Sequence, residues 1–148
     1  MAEMTRKYRI CVPCQKSEKT ESPRLFDVLN KFSQSTQKCP SCGHPTELRL
    51  IFPLGLGAGT PECKVLDVFT ECVDWQQADG KTVTFRPFLV VMEQVDNQDL
   101  IFWLPYWHII DGDGAPERKY GQWAPWMNAK VFGSLLEQAR TKGYIAMA

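Results

Sequence analysis

The chain has 148 residues, 44% hydrophobic and 23% charged, proportions that exclude a disordered or fibrous polypeptide. Its length fits one ordinary domain, or a small metal-stapled module joined to a domain of about 100 residues. The formal net charge is zero, and no stretch approaches the roughly 18 consecutive apolar residues of a membrane span. A soluble, cytoplasmic chain with no membrane partner is expected, since MAEMTRKYRICVPC holds no apolar run of signal-peptide length. Six cysteines without a secretory signal point to metal or free thiols and away from a disulfide framework. The charge is uneven. Residues 1–45 carry eight Lys/Arg and four Asp/Glu, against nine and thirteen in residues 46–148.

In chain order, Tyr8 and Ile10 suggest an edge strand leading into Cys11-Val12-Pro13-Cys14. Gln15 to Glu21 is polar and reads as a loop. Ser22 then suits a helix N-cap and Pro23 the first helical position. Leu25, Val28, Leu29 and Phe32 follow at helical spacing. A polar linker, residues 33–37, delivers the chain to Cys39-Pro40-Ser41-Cys42-Gly43-His44.

From Thr46 the pattern becomes that of strands. Leu48, Leu50 and Phe52 alternate with Glu47, Arg49 and Ile51, until Pro53 and the glycines of residues 55–59 break the run. Lys64 to Trp75 is a second strand. Asp79-Gly80 signals a hairpin into a strand over Thr82 to Val95. Asp96 to Asp99 is a turn into Leu100–Leu104, which Pro105 ends or bends. Asp111 to Gly114 is a third turn. A last helix follows Pro125, with Trp126, Val131, Leu135, Leu136 and Ala139 on its apolar face and Phe132 beside it. Lys142 lies in its final turn and Gly143 at its C′ position. The expected class is α+β: a metal-binding module over residues 1–45, then residues 46–148 as an antiparallel meander closed by a C-terminal helix.

The two C-x-x-C pairs are the specific signal. Two tight turns can present four soft thiolates to one Zn²⁺ in a tetrahedron, which leaves no coordination position for water. Cys11, Cys14, Cys39 and Cys42 are therefore expected to hold one structural zinc ion. Such a centre carries a formal −2, which brings the basic segment from +4 to about +2. In these residues the chain resembles the zinc-ribbon family, whose knuckles take the form C-P-x-C-G. Cys39-Pro40-Ser41-Cys42-Gly43 matches that form closely. Cys11-Val12-Pro13-Cys14-Gln15 matches in its cysteines, with the proline displaced and the glycine absent. The resemblance spans about residues 8–45 and implies metal ligation. Cys14 and Cys39 are separated by 24 residues, more than the common spacing of roughly 15–20.

The remaining motifs read as structural. Leu54 to Gly59 is glycine-rich but lacks the following helix that a phosphate loop requires. Asp111 to Glu117 has Ala115 and Pro116 where a calcium loop needs an oxygen ligand and a glycine. His44 reads as a surface or supporting residue, and Cys63 and Cys72 as core thiols. Among the aromatics, Trp103 and Trp126 fall on regular elements and are expected in the core. Tyr106, Trp107, Tyr120 and Trp123 fall in segments that read as loops, and are candidates for a partner-binding surface.

These features favour a non-enzymatic zinc protein that engages another macromolecule, preferably a protein. Nucleic-acid binding through Arg6, Lys7, Arg9, Lys16 and Lys19 is the alternative, with little counterion release to drive it. A small enzyme with a pocket around His108, Trp107 and Asp111 is the third.

Overall fold

The computed structural model describes residues 5–32, 37–53, 59–111, 117–120 and 126–146. Of residues 111 and 117–120 it describes the backbone. Within them lie ten strands and two helices: β1 (Arg6–Cys11), β2 (Lys16–Glu18), α1 (Leu25–Phe32), β3 (Glu47–Ile51), β4 (Glu62–Thr70), β5 (Val73–Gln76), β6 (Thr82–Gln94), β7 (Leu100–Trp103), β8 (Tyr106–Asp111), β9 (Glu117–Tyr120), β10 (Trp126–Asn128) and α2 (Ala129–Thr141). The class is α+β, richer in sheet than the sequence suggested.

The sheet is organised by β6, whose 13 residues reach past the ends of its neighbours. Its first half pairs with β5 on one side and β8 on the other, and its second half with β4 and β7. Every pairing is antiparallel. From β4 the sheet runs on through β3 and β1 to β2, and β10 and β9 extend it at β7 and β8. Side chains alternate along β6. Phe88, Val90 and Met92 turn to the inner face, where α1 packs with Leu25, Phe26, Val28 and Leu29. The cross-strand rows Val68–Val90–Trp103 and Val65–Met92–Ile101 are buried along their length. Residues 5–32 and the strands after residue 46 thus share one sheet and one core.

Two polar ties join the first strand to its surroundings. Arg9 is only 4% exposed. Its guanidinium donates both to Glu21 Oε1 and to Oε2 at 2.9 Å. That contact holds the Glu21 carboxyl below its usual range and fixes the chain just before α1. The Tyr8 hydroxyl donates to the Glu62 carboxylate, across β3. α1 begins at Leu25, two residues later than expected, and Arg24 O accepts its first helical bond from Val28 N at 3.3 Å, so Pro23 lies before the helix. Ser22 Oγ accepts from Arg24 N at 3.2 Å in the turn that leads into it and is not the N-cap.

Several expectations are corrected here. The segment 64–75 is two strands, broken at residues 71–72, so Cys72 is exposed and only Cys63 is a core thiol. Burial pushes the Cys63 thiol up to about 12. Tyr106 and Trp107 are not in a loop. Pro105 accepts from Phe88 N at 2.8 Å at the step from β7 to β8, and the chain continues along the same edge of β6. This register sets Trp107 opposite Arg86, on the inner face. Trp107 is 2% exposed and meets Phe26 and Phe88 edge-on, with centroids 5.4 Å apart in both cases. It is a core residue and not part of a binding surface. Tyr106 takes the opposite, outward face. Tyr120 lies on a strand, β9, and not in a loop.

The last helix starts at Ala129, where Asn128 Oδ1 caps it by accepting from Lys130 N at 2.9 Å. Trp126 belongs to β10, opposite Trp103, and packs half-buried against the core. Gly143 adopts φ 82°, and the following Tyr144 N donates back to Ala139 O at 3.1 Å, which closes the helix as expected. α2 covers β7 from the outer side, with Phe132 on Phe102 at 5.5 Å. Val131 and Leu135 of the expected apolar face remain exposed. The linker residues 33–36, residues 54–58, the turn at 112–116, Trp123 and Pro125 lie outside the described residues.

Replacing Trp107 by Ala is expected to cost about 3–5 kcal/mol, the range for deleting a large buried aromatic. Chemical denaturation of the variant beside Tyr106→Ala checks it. The Tyr106 change should cost markedly less, because that ring lies on the outward face.

Candidate metal centre

Each cysteine pair sits at the tip of a narrow hairpin. Cys11 is the last residue of β1 and pairs in register with Lys16, the first of β2, so residues 12–15 form the turn. The second pair is framed by a bridge between Lys38 and Pro45. Inside it Cys39 N donates to His44 O at 2.8 Å, and Gly43 N to Cys39 O at 2.8 Å. A left-handed residue follows the second cysteine of each turn: Gly43 at φ 74° and Gln15 at φ 55°. The first knuckle therefore shares the left-handed residue of the second, with glutamine where glycine would adopt it without strain. Its hydrogen bond differs: Gln15 N donates to Val12 O at 3.3 Å, where Gly43 N reaches the first cysteine of its own turn.

The four sulfurs lie within 4.8 Å of one another. Close approaches run between the knuckles: Cys11 Sγ to Cys42 Sγ is 3.3 Å and Cys14 Sγ to Cys39 Sγ is 3.9 Å. A tetrahedron with metal–sulfur bonds of about 2.3 Å has edges of about 3.8 Å. The quartet fits a single ion, and that ion would staple the two hairpins together. Cys11 and Cys39 are buried, Cys14 is half-buried and Cys42 faces solvent.

The local field favours charge on the second knuckle. The backbone N–H groups of Cys42 and Ser41 lower the Cys39 thiol. Cys42 is held down to about 6, first by the His44 backbone N–H and then by the neighbouring Cys14. The His44 ring assists, with Nδ1 3.3 Å from Cys42 Sγ. Cys14 is pushed up to about 12 by its contacts with the Cys42 and Cys11 sulfurs. A cation at the centre would replace the shared protons of the crowded thiols, which links metal binding to proton release.

The long interval between Cys14 and Cys39 now has a cause. It contains β2 and α1, and α1 is part of the core. The chain leaves the centre, lays α1 on the inner face of the sheet and returns to the same point.

The other candidate residues are dispersed. Arg9 is buried on Glu21 and unavailable to a nucleic acid. Lys7 Nζ donates to Pro23 O at 2.6 Å and Lys16 Nζ to Ser41 Oγ at 3.2 Å, while Arg6 and Lys19 are exposed. His108 lies on the outward face among the rings of Trp75, Phe85 and Tyr106, with centroids 5.8, 5.4 and 5.5 Å away. Among the described residues it has no hydrogen-bonded carboxylate or nucleophile, and Trp107 lies on the other face of the strand. The rings of Trp75 and Phe85 were not singled out from the sequence. Their signal is present in β6, where Val83, Phe85, Pro87, Leu89 and Val91 make the outward positions as apolar as the inward ones. No protein-family model, curated protein or solved structure matches the chain.

The two left-handed positions make opposite predictions. Gly43→Ala is expected to destabilise the metal-loaded protein by about 1 kcal/mol through backbone strain. Gln15→Gly is expected to be neutral or stabilising by up to ~1 kcal/mol, since relieved strain is opposed by added chain entropy. Thermal melts with metal bound are expected to show a lowered midpoint for Gly43→Ala and an unchanged or raised one for Gln15→Gly.

Proposed function

We propose that this is a non-enzymatic zinc protein in which a structural Zn²⁺ on Cys11, Cys14, Cys39 and Cys42 rigidifies a fold that binds another protein. The single observation that carries the reading is the sulfur quartet. Four thiolates complete the tetrahedral shell, so the ion would have no open position at which to activate water or substrate. The hairpin form of both knuckles supports the zinc-ribbon likeness of residues 8–45. A thiolate centre, in a chain that also exposes the free thiol of Cys72, suits a reducing, cytoplasmic compartment.

The recognition surface in this reading is the outward face of the sheet. Phe69, 54% exposed, pairs with Leu89 there. Phe85, Tyr106 and His108 continue the face along β6 and β8. A contiguous aromatic and aliphatic face of this kind suits a protein partner, because large rings give much contact area for little ordering cost. Residues 1–45 supply the staple and residues 46–148 the recognition face.

Protein purified without added metal is expected to carry one equivalent of zinc by elemental analysis, and Cys39→Ser to lose both the zinc and the fold of the first hairpins. Well-folded protein free of zinc would end the proposal. Phe69→Ser, an exposed change, is expected to alter stability by no more than about 0.5 kcal/mol and to lower partner recovery at least several-fold. Quantitative pull-downs with zinc-loaded wild type and variant decide that point. Recovery of nucleic acid that falls steeply with salt would instead favour the basic residues of the first segment.

A further inference from the structure

The edge of the sheet at β5 carries an inference that is independent of the zinc and partner-face readings. β5 pairs with β6 on one side, and its other side meets no strand among the described residues. All four of its residues are exposed, with Val73 at 50% and Trp75 at 42%. A free strand edge with apolar side chains is a template for another strand. Val73-Asp74-Trp75-Gln76 is short, but it holds no proline and no lysine, and its ladder with β6 is unbroken. The one charge, Asp74, is turned to the face opposite Trp75, and its Oδ1 accepts from Thr84 Oγ1 at 2.7 Å.

The charges indicate which strand fits. The chain as a whole has a formal charge of zero, so two copies approach without net repulsion. A strand added by a second copy about a two-fold axis pairs antiparallel with its own counterpart. Two registers keep the faces of the joined sheets aligned. One is centred on Asp74 and sets two carboxylates opposite each other, which is unfavourable. The other is centred on Trp75. It stacks the two indoles at the axis and sets each Asp74 opposite the partner's Gln76, an acceptor against an amide donor. Phe85 and Val73 then lie beside the indole pair on the outward face of a sheet continued across the axis.

We propose that a second copy of this chain adds to the β5 edge, antiparallel, in the register that sets Trp75 against the partner's Trp75. The site takes an extended strand of neutral, aromatic character, and the occupant is the chain itself.

Light scattering on size-separated, metal-loaded full chain tests it over a wide concentration range. The expected mass is twice that of one chain at high concentration. Trp75→Lys is expected to stay monomeric, with unchanged circular dichroism and metal content. Phe69→Lys, on the outward face away from the edge, is expected to leave the dimer intact. Gln76→Lys is expected to tighten the dimer several-fold, because the register puts each new ammonium opposite an Asp74 carboxylate. In the register centred on Asp74, residue 76 would meet Cys72 and gain nothing. A wild-type chain that stays monomeric at its solubility limit overturns the proposal. So does a dimer that survives Trp75→Lys or is lost in Phe69→Lys, since contact then lies elsewhere or across the face. A dimer that Gln76→Lys fails to tighten overturns the register. Because the purified chain is used alone, these outcomes are separate from any result on zinc content or on a foreign partner.

Discussion

A strand that is apolar on both faces is stabilised by cover on both, and β6 imposes that demand on everything around it. Its inward positions gather the core. Val90 and Met92 each lie between buried partners on β4 and β7, and Phe88 meets Phe26 of α1. Burial of each such side chain contributes on the order of 1.5–3 kcal/mol. The outward positions are as apolar, yet among the described residues the second helix packs on β7, where Phe132 meets Phe102, and on β10. Phe69, Leu66, Val73 and Trp75 stay in water. The fold satisfies one face of its central strand and leaves the other partly open, and this imbalance gives the outward face its interest.

The cysteine centre answers a different requirement. The two knuckles stand at opposite ends of a long excursion that contains the three-residue β2 and α1. Drawing four sulfurs within 4.8 Å closes that excursion at its neck. The buried ion pair between Arg9 and Glu21 closes it again at the start of the helix. A buried guanidinium left without its carboxylate would be costly, so both constraints act on the same short stretch of chain. The left-handed Gln15 fits this picture. A non-glycine residue tolerates a positive φ where its surroundings overdetermine the turn, and here the register between Cys11 and Lys16 does so.

The aromatic residues show how far alternation controls function in a sheet. Tyr106, Trp107 and His108 are consecutive, but their side chains divide between two environments. Trp107 completes the core against Phe26, while Tyr106 and His108 join Phe85 and Trp75 outside. A shift of one residue in the pairing of β8 with β6 would exchange the two sets. The buried Phe88–Trp107 contact on one side and the Phe85–His108 contact on the other hold the observed register.

Local chemistry alone specified a large part of this molecule. The ligand quartet, the α1 helix though not its first residue, the hairpin at Asp79-Gly80 and the glycine that closes α2 were all legible, because each depends on neighbours a few residues away. The core thiol Cys63 was legible from its place in the strand region, and the buried Trp103 from the apolar run it falls on. The register of β8 was not, since Pro105 ends most strands and only the free edge of β6 allows the chain to resume beside it. Hence Trp107 was read as surface, and the structure reverses that. Cys72 was read as core because Lys64 to Trp75 read as one strand, and the break at residues 71–72 exposes it. Arg9 was read as a surface cation, and its burial on Glu21 depends on where the loop after β2 returns. Four sulfurs can be matched to one ion from spacing, because a knuckle is a local turn. Which face of a sheet is covered, and which strand is left at its edge, depends on contacts between distant segments, and only the tertiary structure decides it.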